Sequence, residues 1–204
     1  MQGHLYIISA PSGTGKTSLV KSLLANTDNL QVSVSHTTRP ARDGEVHGVN
    51  YYFVEKAEFE TMLAENTFLE HATVFGNYYG TSKTWVDSKL QQGIDIILEI
   101  DWQGAEKVRQ LMPEAISIFI LPPSKQALSE RLYGRGKDSA EVIQRRLQAA
   151  IDEMRHCHEF DYLVVNDDFN QALQELQTII HCQRLKQSVQ QSNLSKLLQG
   201  LLSD

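Results

Sequence analysis

Ala10-Pro11-Ser12-Gly13-Thr14-Gly15-Lys16-Thr17 decides how this chain is read. The apolar residues 5–8 precede it, and Ser18-Leu19-Val20-Lys21-Ser22-Leu23-Leu24 follows with the spacing of a helix. A strand, a glycine-bearing loop ending in Gly-Lys-Thr and then a helix is the context a phosphate-binding P-loop requires. Gly13 and Gly15 let the backbone turn tightly, so that successive N–H groups point at phosphate oxygens. The helix starting near Lys16 adds its positive end. Lys16 supplies a charge for the outer phosphates, and the Thr17 hydroxyl suits Mg²⁺. The usual pattern begins with Gly where this chain has Ala10, a residue small enough to let the strand end turn.

Working outward, 204 residues suit one domain, or one core carrying insertions. A hydrophobic share of 41% and a charged share of 22% are ordinary for a soluble globular chain. A net charge of −6 argues against a general nucleic-acid surface. Cys157 and Cys182 have neither metal-ligand spacing nor a redox pattern, so two reduced thiols are expected. The start Met1-Gln2-Gly3-His4 lacks the features of a signal peptide, and no apolar run has membrane-spanning length. These features predict a soluble, cytoplasmic protein without a membrane partner.

Five short apolar segments read as buried parallel strands: residues 5–8, 32–35, 94–100, 116–121 and 162–165. Helical stretches are expected over 17–25, 83–92, 104–111, 125–133 and 140–154. The alternation predicts an α/β core in which a five-stranded parallel sheet is flanked by helices. Ligands in such sheets bind at the carboxyl ends of the strands. Residues 37–82 break the pattern. Tyr51-Tyr52-Phe53-Val54, a short helix near 56–65, a strand over 68–75 and Tyr78-Tyr79 are punctuated by Asp43-Gly44, His47-Gly48 and Gly76-Asn77. This is the pattern of a small mixed β subdomain inserted into the core. Gly134-Arg135-Gly136-Lys137-Asp138 reads as a short flap between two helices. In the tail, Leu194, Leu197, Leu198, Leu201 and Leu202 recur at helical spacing. Such a helix packs on its own core or forms a subunit contact.

A P-loop alone does not separate kinases from other nucleotidases. Arginines narrow the choice: Arg131, Arg135, Arg145 and Arg146 lie in or beside the flap, and Arg39 and Arg42 at the entry to the insert. Phosphoryl transfer spreads negative charge that guanidinium forks stabilise, and two arginine groups suit two phosphorylated substrates. Arg145 reads as a solvated surface residue. Leu98-Glu99-Ile100-Asp101 places acids at the end of an apolar strand, as in a Walker B element that holds the water shell of Mg²⁺. Gly104 implies close backbone packing there. No Asn-Lys-x-Asp run for GTPase base recognition is present. A small-molecule kinase fits this set.

Longer motifs then carry a resemblance. Ser33-Val34-Ser35-His36-Thr37-Thr38-Arg39-Pro40-Ala41-Arg42-Asp43-Gly44-Glu45 resembles the guanylate kinase signature. So do Gly48-Val49-Asn50-Tyr51-Tyr52-Phe53, Phe68-Leu69-Glu70-His71-Ala72, Gly76-Asn77-Tyr78-Tyr79-Gly80-Thr81, Glu99-Ile100-Asp101-Trp102-Gln103-Gly104 and Arg131-Leu132-Tyr133-Gly134-Arg135-Gly136. The resemblance runs in order over residues 3–185. It implies ATP-dependent phosphorylation of GMP to GDP with Mg²⁺, on a P-loop NTPase core (3–36 and 83–185) with a GMP-binding insert (37–82), a lid (134–145) and a helical tail (186–204). It implies ATP at residues 10–17, guanine at Ser35, Glu70, Thr81 and Asp101, and the GMP phosphate at Arg39, Arg42, Tyr51 and Tyr79. Lys16, Arg39, Arg131, Arg135 and Arg146 are the implied catalytic set, with Thr17 on the metal and Asp101 reaching it through water. Relatives commonly have Gly at position 10 and Asp at position 99, so Glu99 is one methylene longer than the pattern.

Two other functions compete. A guanylate-kinase-like interaction module would bind a protein partner without catalysis, but the intact loop, Lys16 and the flap arginines argue against it. A related kinase with another phosphate acceptor is opposed by the candidate guanine contacts.

Overall fold

The computed structural model describes residues 2–74, 76–134 and 140–203. Along the chain the elements are β1 (Leu5–Ser9), α1 (Lys16–Ala25), β2 (Leu30–Val32), β3 (His36–Thr37), β4 (Tyr52–Phe53), α2 (Lys56–Ala64), β5 (Phe68–Val74), β6 (Asn77–Ser82) and α3 (Lys83–Gln91). They continue as β7 (Asp95–Leu98), α4 (Trp102–Leu111), β8 (Ile116–Leu121), α5 (Lys125–Tyr133), α6 (Ala140–Met154), β9 (Tyr162–Val165), α7 (Phe169–Arg184), α8 (Gln187–Asn193) and α9 (Ser195–Leu202).

The core sheet has the order β2-β7-β1-β8-β9, with every pairing parallel. Every residue of β1 is buried, which is why it reads as a continuous apolar run rather than an alternation. Alternate side chains still go to opposite faces. Tyr6 and Ile8 pack with Leu19 and Leu23 of α1 and Leu176 and Ile180 of α7. Leu5 and Ile7 pack with Val86 and Leu90 of α3 and Val108 of α4. From β1 the sheet grows one way through β7 and β2 and the other way through β8 and β9. The crevice at the carboxyl end of β1 is therefore the switch point where ligands bind in open α/β sheets.

Residues between the second and third core strands build a separate mixed sheet, β4-β3-β6-β5, in which only the β3–β4 pairing is parallel. Its packing is aromatic: Phe59 of α2 stacks on Phe68 with ring centroids 4.5 Å apart and lies 5.4 Å from Tyr78.

The expected α/β architecture is found, with local differences. The second core strand is Leu30–Val32, not 32–35. After it the Ser33 N–H still bonds to the Ile97 carbonyl, at 2.9 Å. The chain then leaves the core sheet, and His36 pairs with Tyr52 and Gly80. Helix α4 starts at Trp102 rather than 104 because Asp101 caps it, accepting from the Gly104 N–H at 2.8 Å. Helix α7 is absent from the sequence reading, although Asp168 caps it and Ala172, Leu176 and Ile180 mark its buried face at four-residue spacing. The tail is helical, but Leu194, Leu197, Leu201 and Leu202 are exposed, so packing of these leucines on the chain's own core is not what is found. Residues 135–139 of the expected flap, Arg135 among them, lie outside the described residues.

Candidate active site

Residues 10–17 wrap a concave space of about 160 Å³. Gly13 and Gly15 have φ of 97° and 93°, left-handed conformations that favour glycine. Space matters as well as angle: a Cβ on Gly15 would lie 2.6 Å from Asn166 Nδ2, and one on Gly13 would lie 3.0 Å from the side chains of Leu128 and Leu132. The Thr14 side chain is buried, its hydroxyl donating to the Pro11 carbonyl at 2.9 Å. The Thr14 carbonyl has two side-chain partners. Asn166 Nδ2 donates to it at 2.6 Å, and Arg131 Nη1 reaches it at 3.4 Å while Arg131 Nη2 donates to the Asn166 carbonyl at 2.9 Å. Arg146 on α6 donates to the Ser12 hydroxyl at 2.5 Å. Arg131 and Arg146 thus both meet the P-loop, whereas Arg145 is exposed.

Lys16 Nζ lies 3.7 Å from Glu99 Oε2 just past β7. Burial lowers the Lys16 pKa, and the charges of Glu99, Glu153 and Asp101 oppose that shift. Asp101 directs one carboxylate oxygen to the α4 cap. The tight backbone expected at Gly104 is real: a Cβ there would lie 3.3 Å from Glu70 Oε2 and 3.4 Å from Asp101 Oδ1.

Across the crevice, Ser35, Tyr51, Glu70, Tyr79, Glu99 and Asp101 line one cleft of about 280 Å³. A second cleft of about 430 Å³ runs from Lys16 and Thr17 past Ser35 to Tyr51. The two share Ser35, Tyr51 and Glu99, so the P-loop and the insert face a continuous space. Glu70 is only 6% exposed. Its Oε1 accepts from the Thr81 hydroxyl at 2.7 Å, and Ser35 Oγ lies 3.5 Å from Thr81 Oγ1. Burial raises the Glu70 pKa, the Thr81 hydrogen bond opposes the rise, and the Asp101 charge adds to it. Arg39 bonds Glu45 at 2.8 Å, and its guanidinium carbon lies 5.4 Å from the Tyr51 ring centre. The rings of Tyr51 and Tyr79 meet edge-on at 5.9 Å. Arg42 is exposed on the same loop.

The structure therefore brings Ser35, Tyr51, Glu70, Tyr79 and Asp101 around one cleft, with buried Thr81 bonded to Glu70, and Arg131 and Arg146 to the P-loop. Three polar residues near these groups have no assignment from sequence. Asn166 follows β9, at a strand's carboxyl end, and that position was the available signal. Glu45 bonds Arg39. Glu153 shares a face of α6 with Arg146 at a spacing of seven residues, and burial together with Asp101 raises its pKa.

The guanylate kinase family model matches residues 2–183. A guanylate kinase of Hahella chejuensis is 60% identical over 202 residues, covering 99% of this chain and 97% of that relative. The guanylate kinase of Escherichia coli is 56% identical over 205 residues, covering 100% of this chain and 99% of that relative. Among solved structures, a guanylate kinase from Anaplasma phagocytophilum has a TM-score of 0.77 at 35% identity, covering 97% of this chain and 94% of that one.

Proposed function

The chain belongs to the guanylate kinase family and phosphorylates GMP to GDP with ATP; we propose that it does so by in-line transfer between two separately built nucleotide sites. Residues 10–17 hold the ATP phosphates, and the cleft around Glu70 holds GMP. The observation that carries the second assignment is a buried carboxylate lining that cleft, steadied by Thr81, which Ser35 also approaches.

Guanine presents N1–H and a 2-amino group side by side. A carboxylate accepts from both, so Glu70 reads that edge, and Ser35 donates to O6. Adenine offers a lone pair at N1 and no 2-amino group, leaving Glu70 buried against an acceptor. Thr81 holds Glu70, and Asp101 completes the guanine end. Arg39, Arg42, Tyr51 and Tyr79 grip the phosphate through guanidinium forks and hydroxyls, without needing a metal there.

No side-chain nucleophile is required, because a GMP phosphate oxygen attacks. The protein supplies position, charge stabilisation and exclusion of water. Lys16 stabilises the transferring phosphoryl group, and Arg131 and Arg146, which contact the P-loop from α5 and α6, complete the positive charge around the ATP phosphates. Arg135 is added to this set on the resemblance alone.

The donors available for Mg²⁺ are hard oxygens: the Thr17 hydroxyl, and the Asp101 carboxylate acting through water. Among the described residues no group of three or more His, Cys, Asp or Glu could hold a metal ion. That fits an ion whose remaining ligands are waters and substrate phosphates rather than a protein cage. When bound, Mg²⁺ neutralises charge on the ATP phosphates.

We assign residues 3–185 to the catalytic unit, with the insert over 37–82 and the lid over 134–145. Residues 186–204 are a tail whose exposed leucines suit a subunit contact. No described helix is long and apolar enough to cross a membrane, and Cys157 and Cys182 are free. We place the chain in the cytoplasm, in purine nucleotide metabolism, on the reaction of its family alone.

A coupled assay of ADP formation with GMP, AMP, UMP and CMP in turn tests the reading. GMP should be preferred over AMP by roughly 10⁴-fold in kcat/KM, since the wrong base strands a buried polar group. Comparable use of AMP would contradict it.

A further inference from the structure

Glu45 lies in the loop between β3 and β4, and its two carboxylate oxygens have different partners. Oε1 accepts from Arg39 Nη2 at 2.8 Å, and Oε2 accepts from the backbone N–H of Arg42 at 2.8 Å. The Glu45 N–H closes the same turn by donating to the Arg42 carbonyl at 3.0 Å. Arg39 is held on a second side, with Nη1 donating to the Pro40 carbonyl at 2.7 Å. Its guanidinium carbon also sits 5.4 Å from the Tyr51 ring centre and 5.8 Å from that of Phe53. The two side chains are only 12% and 19% exposed. A single carboxylate thus ties one arginine's side chain to the other's backbone.

Both partners of Glu45 are donors, so a carboxylate satisfies both at once. A glutamine could accept from one and would turn its amide N–H toward the other. A guanidinium has five N–H donors; on Arg39 one goes to Glu45, one to the Pro40 carbonyl, and Tyr79, itself assigned to the phosphate grip, also hydrogen-bonds it, which still leaves part of the fork for a ligand. The hydrogen bond from Arg39 holds the Glu45 carboxyl below the usual range, so the group is charged at neutral pH.

We infer that Glu45 is a positioning residue for the GMP phosphate: it fixes the Arg39 fork and the Arg42 segment in one arrangement before the ligand arrives. The inference rests on Arg39 and Arg42 being the phosphate grip. A flexible arginine loses rotamer freedom when it closes on an anion, and holding it beforehand reduces that loss. The opposite role for the carboxylate is to occupy the phosphate's own place and have to be displaced. The geometry disfavours this, because Oε2 is engaged by the backbone of its own turn rather than directed at the cleft hydroxyls. The two roles predict opposite signs. Removing a positioner weakens GMP binding, and removing an occupant strengthens it.

The test is steady-state kinetics on the full chain carrying E45Q, E45A, R39A and E45A with R39A, each checked by thermal melting. E45A should raise the KM for GMP about tenfold or more, the size expected when a charge-assisted hydrogen bond is lost. E45Q should raise it by less than E45A does. The KM for ATP should stay within about twofold, as expected of a distant site. In the double variant, E45A should add less than it does alone, because Glu45 works through Arg39. An unchanged or lower KM for GMP in E45A, with R39A impaired, would overturn the positioning role and leave the phosphate grip standing. An R39A variant with an unchanged KM for GMP would overturn the grip itself. E45Q is close to isosteric, so a low melting temperature in E45A would not leave the question without an answer.

Discussion

On the proposed assignment, the P-loop and the inserted sheet hold their ligands with different materials. Residues 10–17 use backbone: two left-handed glycines, a buried threonine and the start of α1, braced by Asn166 and Arg131. The insert side uses side chains drawn from residues 35 to 101, held in place by a small aromatic-packed sheet and by pairs such as Thr81–Glu70 and Glu45–Arg39. Backbone N–H groups recognise a phosphate chain and are indifferent to the base. Side-chain acceptors and donors recognise an edge. On this assignment the first region supplies reactivity and the second selectivity, and substitutions in one should leave the other's ligand alone.

The largest effect should come from Lys16. K16A should lower turnover by about 10³-fold or more while keeping a cooperative melt, since the ammonium acts on the transferring phosphoryl group. Rates of ADP formation and a thermal scan check this. Activity within about tenfold of the parent would break the assignment of reactivity to the P-loop.

A smaller, graded effect should appear with pH. Burial raises the Glu70 pKa, so the carboxylate takes up a proton at higher pH than an ordinary glutamate. Guanine's two donors need the charged form. The KM for GMP should therefore rise as pH falls through that raised value, by up to about tenfold per pH unit below it. In E70Q this contribution should vanish. Ionisation of the GMP phosphate is common to both proteins, so the difference between the two profiles isolates Glu70. Parallel profiles would show that Glu70 does not read the base.

The two regions also differ in how far they could be read from sequence. The P-loop is contiguous, and its glycines, lysine and threonine announce themselves between a buried strand and a helix. The core sheet was legible for the same reason: β1 and β8 are apolar on both faces because both faces are covered. The insert was different. Arg39 and Arg42 stand out as an arginine pair at its entry, but Tyr51, Glu70, Tyr79 and Thr81 are each unremarkable locally, and the register of β5 against β6 that sets Glu70 beside Thr81 is a tertiary fact. Only the resemblance tied them together. Asn166 and Glu45 escaped because their partners are the Thr14 carbonyl, 152 residues away, and an arginine already given another role. The end of the second core strand was misplaced because Val34 and Ser35 remain strand-like while the chain crosses between sheets.

The smallest effect on activity is expected at the far end of the core sheet. Asp95 begins β7, is buried, and accepts from the His4 N–H at 2.6 Å and from Arg184 Nε at 2.8 Å. Burial alone would raise its pKa, but the hydrogen bonds from His4 and Arg184 outweigh that and lower it. A lowered folded pKa stabilises the fold at pH above the unfolded aspartate value of about 4, and the contribution is lost as pH falls through the lower folded value. D95N should destabilise by about 3 kcal/mol at neutral pH, with the deficit shrinking in acid. It should leave kcat and both KM values within about twofold. Denaturant melts across pH and a kinetic assay test this. A large change in GMP KM would show that the insert is not insulated from the core.

The separation itself is tested most directly by calorimetric titration of GMP and of ATP, each alone, into the parent and E70A. E70A should weaken GMP binding by about 10²-fold, near the upper range for hydrogen bonds to a charged group, and leave the Kd for ATP within about twofold. Loss of ATP affinity with GMP binding spared, or equal weakening of both, would contradict it.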